Sequence, residues 1–118
     1  LNARTKKDAF PMARVDECLE SLRKGKVFST IDASQGCYQV RLREEDIPKT
    51  AFRFDGELLE FVRMTFGLCS AGATFGRLMR KALANIPNVA WYLDEVFVKS
   101  ASVEEHEKDL ERVFEALA

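Results

Sequence analysis

Val27-Phe28-Ser29-Thr30-Ile31-Asp32 is the stretch on which the fold turns. β-branched and aromatic residues make it a strand, and an acid ends it. A second stretch of the same kind comes late in the chain, where Trp91-Tyr92-Leu93 and Val96-Phe97-Val98 form two short apolar strands meeting at Asp94-Glu95. Acidic residues disfavour strands, and a buried, unpaired carboxylate is costly or shifts its pKa until it neutralises. Hard divalent cations bridged by carboxylates would compensate, and the same arrangement serves phosphoryl transfer. The alternative is that each acid is a solvated turn residue, which is the commoner meaning of an acid at a strand end or hairpin tip. Spacing alone leaves both readings open.

Before that strand, Val15, Leu19 and Leu22 recur at helical spacing, with Pro11 placed to start a helix and Gly25 to stop it. Tyr38, Val40 and Leu42 alternate with polar residues as a half-buried strand would, and 44–48 reads as a polar connection. Asp55-Gly56 between 51–54 and 57–62 predicts a hairpin, because the pair supplies the positive φ angles of a type I′ turn. Phe66-Gly67-Leu68 reads as a turn before a helix over about 71–84, with Phe75, Leu78, Met79, Ala82 and Leu83 as its apolar face. Ser102 and Glu105 form a capping box that opens a last helix carrying Leu110, Val113, Phe114 and Leu117. The order αββββαββα, rich in hairpins, predicts an α+β fold with an antiparallel sheet packed on helices.

A chain of 118 residues suits one domain. It contains 47% hydrophobic and 31% charged residues, the balance of a globular protein, and no stretch long and apolar enough to span a membrane. Residue 1 is Leu, and the opening LNARTKKDAF has no apolar signal segment, so we expect a piece of a longer polypeptide. Cys18, Cys37 and Cys69 are odd in number and widely spaced, and His106 is the sole histidine, which argues against a disulfide framework and a structural zinc site. An intracellular compartment, cytoplasm or nucleus, is the resulting expectation. The net charge of −1 gives no overall electrostatic footprint for nucleic acid.

The motif Val27 to Asp32, followed by Gly36 and Tyr38-Gln39-Val40, resembles the first catalytic motif of the reverse transcriptases of gypsy-type long-terminal-repeat retrotransposons. Further similarities follow in the family's order: Leu1-Asn2 with Thr5, Asp8 and Pro11; Asp46 to Phe52; Glu60-Phe61 with Met64; and Phe66-Gly67-Leu68 leading to Ala71 and Ala73-Thr74-Phe75. Tyr92-Leu93-Asp94-Glu95 occupies the place of the family's Tyr-x-Asp-Asp hairpin, and Glu105-His106 precedes the last helix. The resemblance covers essentially the whole chain. It implies a polymerase palm (about 27–42 and 71–118) with part of the fingers (about 1–26 and 43–70). It implies catalytic acids at Asp32, Asp94 and Glu95, which with the carbonyl of Ala33 would hold two Mg²⁺ ions, Mn²⁺ being possible. Gln35, Gly36, Cys37 and Phe66 would line the incoming nucleotide's pocket. The implied partners are an RNA or DNA template-primer, a deoxynucleoside triphosphate, and the thumb and ribonuclease H parts of a polyprotein, with no membrane.

Departures from the family's pattern fall on these same positions. Glu95 is one methylene longer than the usual Asp, and an octahedral Mg²⁺ shell at roughly 2.1 Å tolerates misplacement poorly. Cys37 stands where the family carries an aromatic that packs under the sugar and excludes a 2′-hydroxyl. Gln35 replaces a Ser; Thr65, Ser70 and Gly72 replace Pro, Asn and Pro; Gly76 replaces Gln. The resemblance therefore implies a fragment of an RNA-directed DNA polymerase, inactive alone, with two rivals: a non-catalytic interaction module that keeps the fold, and a decayed remnant that does not fold. Elsewhere, His106 is expected to be a surface or capping residue, Cys18 a packing residue, and Lys6-Lys7 and Arg77-Arg80-Lys81 solvated helix faces rather than phosphate contacts.

Overall fold

The structure, a computed structural model, describes residues 1–11 and 14–118. Helix α1 spans Val15–Leu22 and leads into β1, Val27–Asp32. A hairpin of β2 (Phe52–Phe54) and β3 (Glu57–Leu59) follows, then α2 (Ala71–Leu83), the strands β4 (Val89–Tyr92) and β5 (Glu95–Ser100), and α3 (Val103–Leu117). Pro11 lies before α1 rather than in it, and residues 12 and 13, over which the helix was expected to run, lie outside the described residues.

The main sheet has the order β1-β5-β4 and is antiparallel throughout, as the α+β reading requires. Directly opposed residues share a face. Ile31 faces Val96 and Val96 faces Trp91, while Ser29 faces Val98 and Val98 faces Val89. This face packs on α2 and α3, where Phe75, Met79, Leu83 and Val113 close a core around Val96 and Val98. The expected apolar stripe of α2 is in place through Phe75, Met79 and Leu83, with Ala71 buried beside them, although Leu78 is exposed. On α3, Val113 is buried but Phe114 is exposed. The Ser102 hydroxyl accepts the Glu105 amide at 3.2 Å, and the Glu105 carboxylate accepts the amide of Ala101, so the capping box closes one residue earlier than its usual form.

The strand expected over Tyr38–Leu42 is absent. Gly36–Gln39 is a 3-10 turn, entered through Gln35 in the left-handed region (φ 52°). Its amides find partners locally, Tyr38 N–H on Gln35 at 2.8 Å and Val40 N–H on Cys37 at 3.2 Å. Alternating polarity cannot separate a strand from a chain that satisfies its own backbone in this way. Only the end of the segment is extended, where Arg41 bridges Arg63. The β2–β3 turn meets expectation, with Asp55 at φ 49° and Gly56 at φ 80°.

Gly36 is where this turn touches the core. A Cβ there would stand 2.7 Å from Cζ of the buried Phe75. Gly36→Ala is therefore expected to cost about 1–3 kcal/mol in urea unfolding through overpacking. An unchanged midpoint would mean that the turn is not seated against Phe75.

Candidate active site

The β1–β5 register sets Asp32 directly opposite Glu95, and the β4–β5 register sets Tyr92 opposite Glu95. All three lie on the sheet face away from α2 and α3, and both acids are exposed. One residue further on, the Ala33 amide donates to the Asp94 carbonyl at 2.7 Å. Hydrogen-bonded and non-bonded pairs alternate along an antiparallel ladder, so Asp32–Glu95 is a non-bonded pair, the kind in which side chains come closest. Like charges directly opposed across strands are destabilising. The sheet tolerates such a pair here, at the end where β1 meets the β4–β5 hairpin.

Asp94 sits in the tip of that hairpin, after Leu93. Leu93 adopts φ 54°, a left-handed conformation that a bulky residue rarely takes. Such conformations cost of order 1–3 kcal/mol and concentrate at functional sites. The Asp94 carboxylate comes near Cys37, whose thiol is pushed up first by burial and then by that negative charge. Ala33 is held on both sides, its amide by Asp94 and its carbonyl by the Gly36 amide at 3.0 Å. A carbonyl oxygen has two lone pairs, so one remains available.

Of the residues expected to line a nucleotide pocket, Gln35 is exposed, Gly36 buried and Cys37 half-buried. Phe66 is exposed and joined to the turn by an edge-on contact with Tyr38 (centroids 5.3 Å apart, planes at 81°). Hard carboxylate oxygens on an exposed face fit magnesium in donor chemistry. The strands bring the three acids to one end of the sheet, yet among the described residues no three His, Cys, Asp or Glu side chains converge as a ready metal-ligating group.

The thiol environments give an inexpensive check on this arrangement. A raised pKa means less thiolate at neutral pH, so Cys37 and Cys18, both pushed up mainly by burial, are expected to react with iodoacetamide more slowly than the exposed Cys69. Asp94→Asn removes the charge beside Cys37 and should speed labelling there but not at Cys18. Equal labelling of Cys37 in both proteins, followed by mass spectrometry, would place Asp94 away from it.

One cluster was not anticipated. His106 is buried rather than at the surface, and bonds to Ser29 and Ser100, with Asp109 buried beside them. The available signal was two serines at core-facing positions of apolar strands, which call for a buried partner.

The whole chain, residues 1–118, matches the family described as reverse transcriptase (RNA-dependent DNA polymerase). It is 40% identical, over all of its length, to the retrovirus-related Pol polyprotein from transposon 297 of Drosophila melanogaster, and 34% identical over 99% of its length to that from transposon gypsy. It spans 11% and 12% of those two polyproteins. Among solved structures, the foamy viral protease-reverse transcriptase in complex with an RNA/DNA hybrid superimposes on 98% of the chain and 16% of its own, with TM-score 0.91 and 28% identity. A match over every residue and a shared fold agree, and this chain belongs to the reverse transcriptase (RNA-dependent DNA polymerase) family.

Proposed function

We propose that this chain is the palm with part of the fingers of an RNA-directed DNA polymerase, and that Asp32, Asp94 and Glu95 are its catalytic acids. The palm comprises about 27–42 and 71–118, and the fingers part about 1–26 and 43–70. The observation carrying the proposal is the opposition of Asp32 and Glu95 beside the Asp94 tip, on a sheet face free of the core helices. Asp32, Asp94 and Glu95, with the free lone pair of Ala33, would hold two Mg²⁺ or Mn²⁺ ions. Bound there, such ions would activate a primer 3′-hydroxyl and stabilise a leaving pyrophosphate.

The chain's own residues orient and shape. The Ala33–Asp94 backbone bond holds the hairpin tip to the end of β1. The turn containing Gln35, Gly36 and Cys37, braced on Phe75, would form one wall of the nucleotide pocket, with Phe66 at its rim. Cys37 leaves room under the sugar that an aromatic would fill, so discrimination against a 2′-hydroxyl should be weak. Template-primer, deoxynucleoside triphosphate, and thumb and ribonuclease H portions are the partners this reading requires. The foamy viral relative was solved with an RNA/DNA hybrid and another with double-stranded DNA, which supports the template-primer part. Among the described residues no helix is long and apolar enough to cross a membrane.

The test is Mn²⁺ binding by the chain, followed by paramagnetic broadening of its amide resonances. Millimolar or tighter binding centred on residues 32 and 94, lost in Asp32→Asn, is the expected result. The spread of the side chains and the longer Glu95 favour a second reading, a non-catalytic module that keeps the fold. Absent broadening would favour that reading instead, and broadening that survives Asp32→Asn would remove Asp32 from the metal site.

A further inference from the structure

The strand that carries Asp32 is tied to α3 by a buried polar relay that the proposed chemistry leaves unused. Ser29 on β1 and Ser100 on β5 are diagonal neighbours on the core face, since Ser29 opposes Val98 and Val27 opposes Ser100. His106, in the first turns of α3, reaches both. Its Nε2 lies 2.7 Å from Ser29 Oγ, and its Nδ1 lies 3.0 Å from Ser100 Oγ. Ser100 donates to Asp109 Oδ2 at 2.8 Å, an oxygen that also accepts Asn88 Nδ2–H at 3.0 Å. The Arg112 guanidinium holds the other Asp109 oxygen at 3.3 Å. His106, Ser100 and Asp109 are 6%, 3% and 1% exposed, so bulk solvent has little access to them and their bonds to one another carry the cluster.

Donor counting fixes the direction of this chain of bonds. An ionised carboxylate only accepts, and a serine hydroxyl has one proton. Ser100 gives its proton to Asp109, so toward His106 it can only accept, and Nδ1 must carry a hydrogen. With the ring neutral, Nε2 is then the acceptor for the Ser29 hydroxyl. The free histidine side chain favours the opposite tautomer, with the hydrogen on Nε2, so the protein imposes this one through Asp109.

We propose that His106 is a positioning residue, held as its Nδ1–H tautomer by Asp109 acting through Ser100, and that by gripping Ser29 it fixes the end of β1 that presents Asp32. The second half of this inference rests on Asp32 being a metal-binding acid. The geometry favours it because Ser29 precedes Asp32 on one short strand whose other face is exposed. The grip on Ser29 is a side-chain anchor from that strand into α3. Beyond Asp32, the Ala33 amide bond to Asp94 reports whether the strand end stays docked.

The experiment uses the intact chain with its histidine labelled with ¹⁵N. At neutral pH the ring nitrogens should report Nδ1–H, and Ser100→Ala should shift the ring toward Nε2–H, which a merely space-filling histidine would not do. Ser29→Ala should speed hydrogen exchange at the Ala33 amide and weaken Mn²⁺ binding about threefold or more, measured well below the melting temperature. Ser29→Thr, which keeps the hydroxyl, should restore both. An Nε2–H tautomer in the wild-type chain overturns the relay. Unchanged Ala33 exchange in Ser29→Ala overturns the positioning role. A wild-type chain that binds no Mn²⁺ sinks the metal reading instead, and the tautomer and the Ala33 amide still judge the relay.

Discussion

Asp94→Asn is expected, on the proposed function, to lower templated primer extension by about a thousandfold in a longer polymerase containing this chain, while leaving its melting temperature unchanged. The substitution keeps shape and one oxygen but removes a negative charge from the hairpin tip. What holds the tip in place is the Asp94 backbone carbonyl, bonded to the Ala33 amide at 2.7 Å, and that bond does not involve the side chain. Structure and charge are therefore separable at this residue. Removing one preorganised electrostatic group from a reacting centre typically costs a factor of about 10²–10³ in rate, and a metal-binding acid belongs at the upper end. Incorporation of labelled deoxynucleotide on an RNA template measures the effect. Extension that survives Asp94→Asn undiminished would remove Asp94 from the catalytic set. Glu95→Asp offers the opposite comparison: drawing the carboxylate back by one methylene should tighten Mn²⁺ binding about tenfold, equivalent to 1.4 kcal/mol. A weaker binder would show that Glu95 suits its place.

Leu83→Ala is expected to destabilise the fold by about 2–5 kcal/mol, the largest stability loss anticipated for a single truncation here. Leu83 is 1% exposed at the end of α2 and belongs to the cluster with Met79, Val96, Val98 and Val113. Shortening it removes transfer free energy and leaves a cavity in the one core that joins both helices to the sheet. Domains of this size hold only about 5–15 kcal/mol in all, so the loss should lower the melting temperature by about 10 °C or more. Leu83→Met, which conserves volume, should cost less than about 1.5 kcal/mol. Equal melting of the alanine variant and the parent would mean that Leu83 is not packed in that core.

Much of the architecture was legible from local pattern. The helices over 71–83 and 103–117 follow their apolar spacing, and the Asp55-Gly56 turn follows from the φ angles those residues tolerate. The β4–β5 hairpin was legible too, although its strands run longer than the apolar residues alone suggested, 89–92 and 95–100. The errors share one cause. Tyr38 to Leu42 alternates like a strand, but the left-handed Gln35 and the seat of Gly36 on Phe75 wind the start of that segment into a turn. His106 looked exposed because it stands among charged neighbours on α3. It is buried because the two serines opposite it need a partner.

Local sequence marked the anomalous acids, Asp32 and Asp94-Glu95 at the ends of apolar strands, whereas the left-handed Leu93 became visible only in the folded hairpin. The sequence also carried, by resemblance, the family to which the chain belongs. Period, turn chemistry and capping are local properties, written within a few residues of where they act. It takes the assembled fold to set Asp32 opposite Glu95, to bring Asp94 near Cys37, and to bond His106 to Ser29 on β1. Those facts depend on β1 meeting β5 across most of the chain, and strand register and burial are fixed by non-local contacts that no short window of sequence contains.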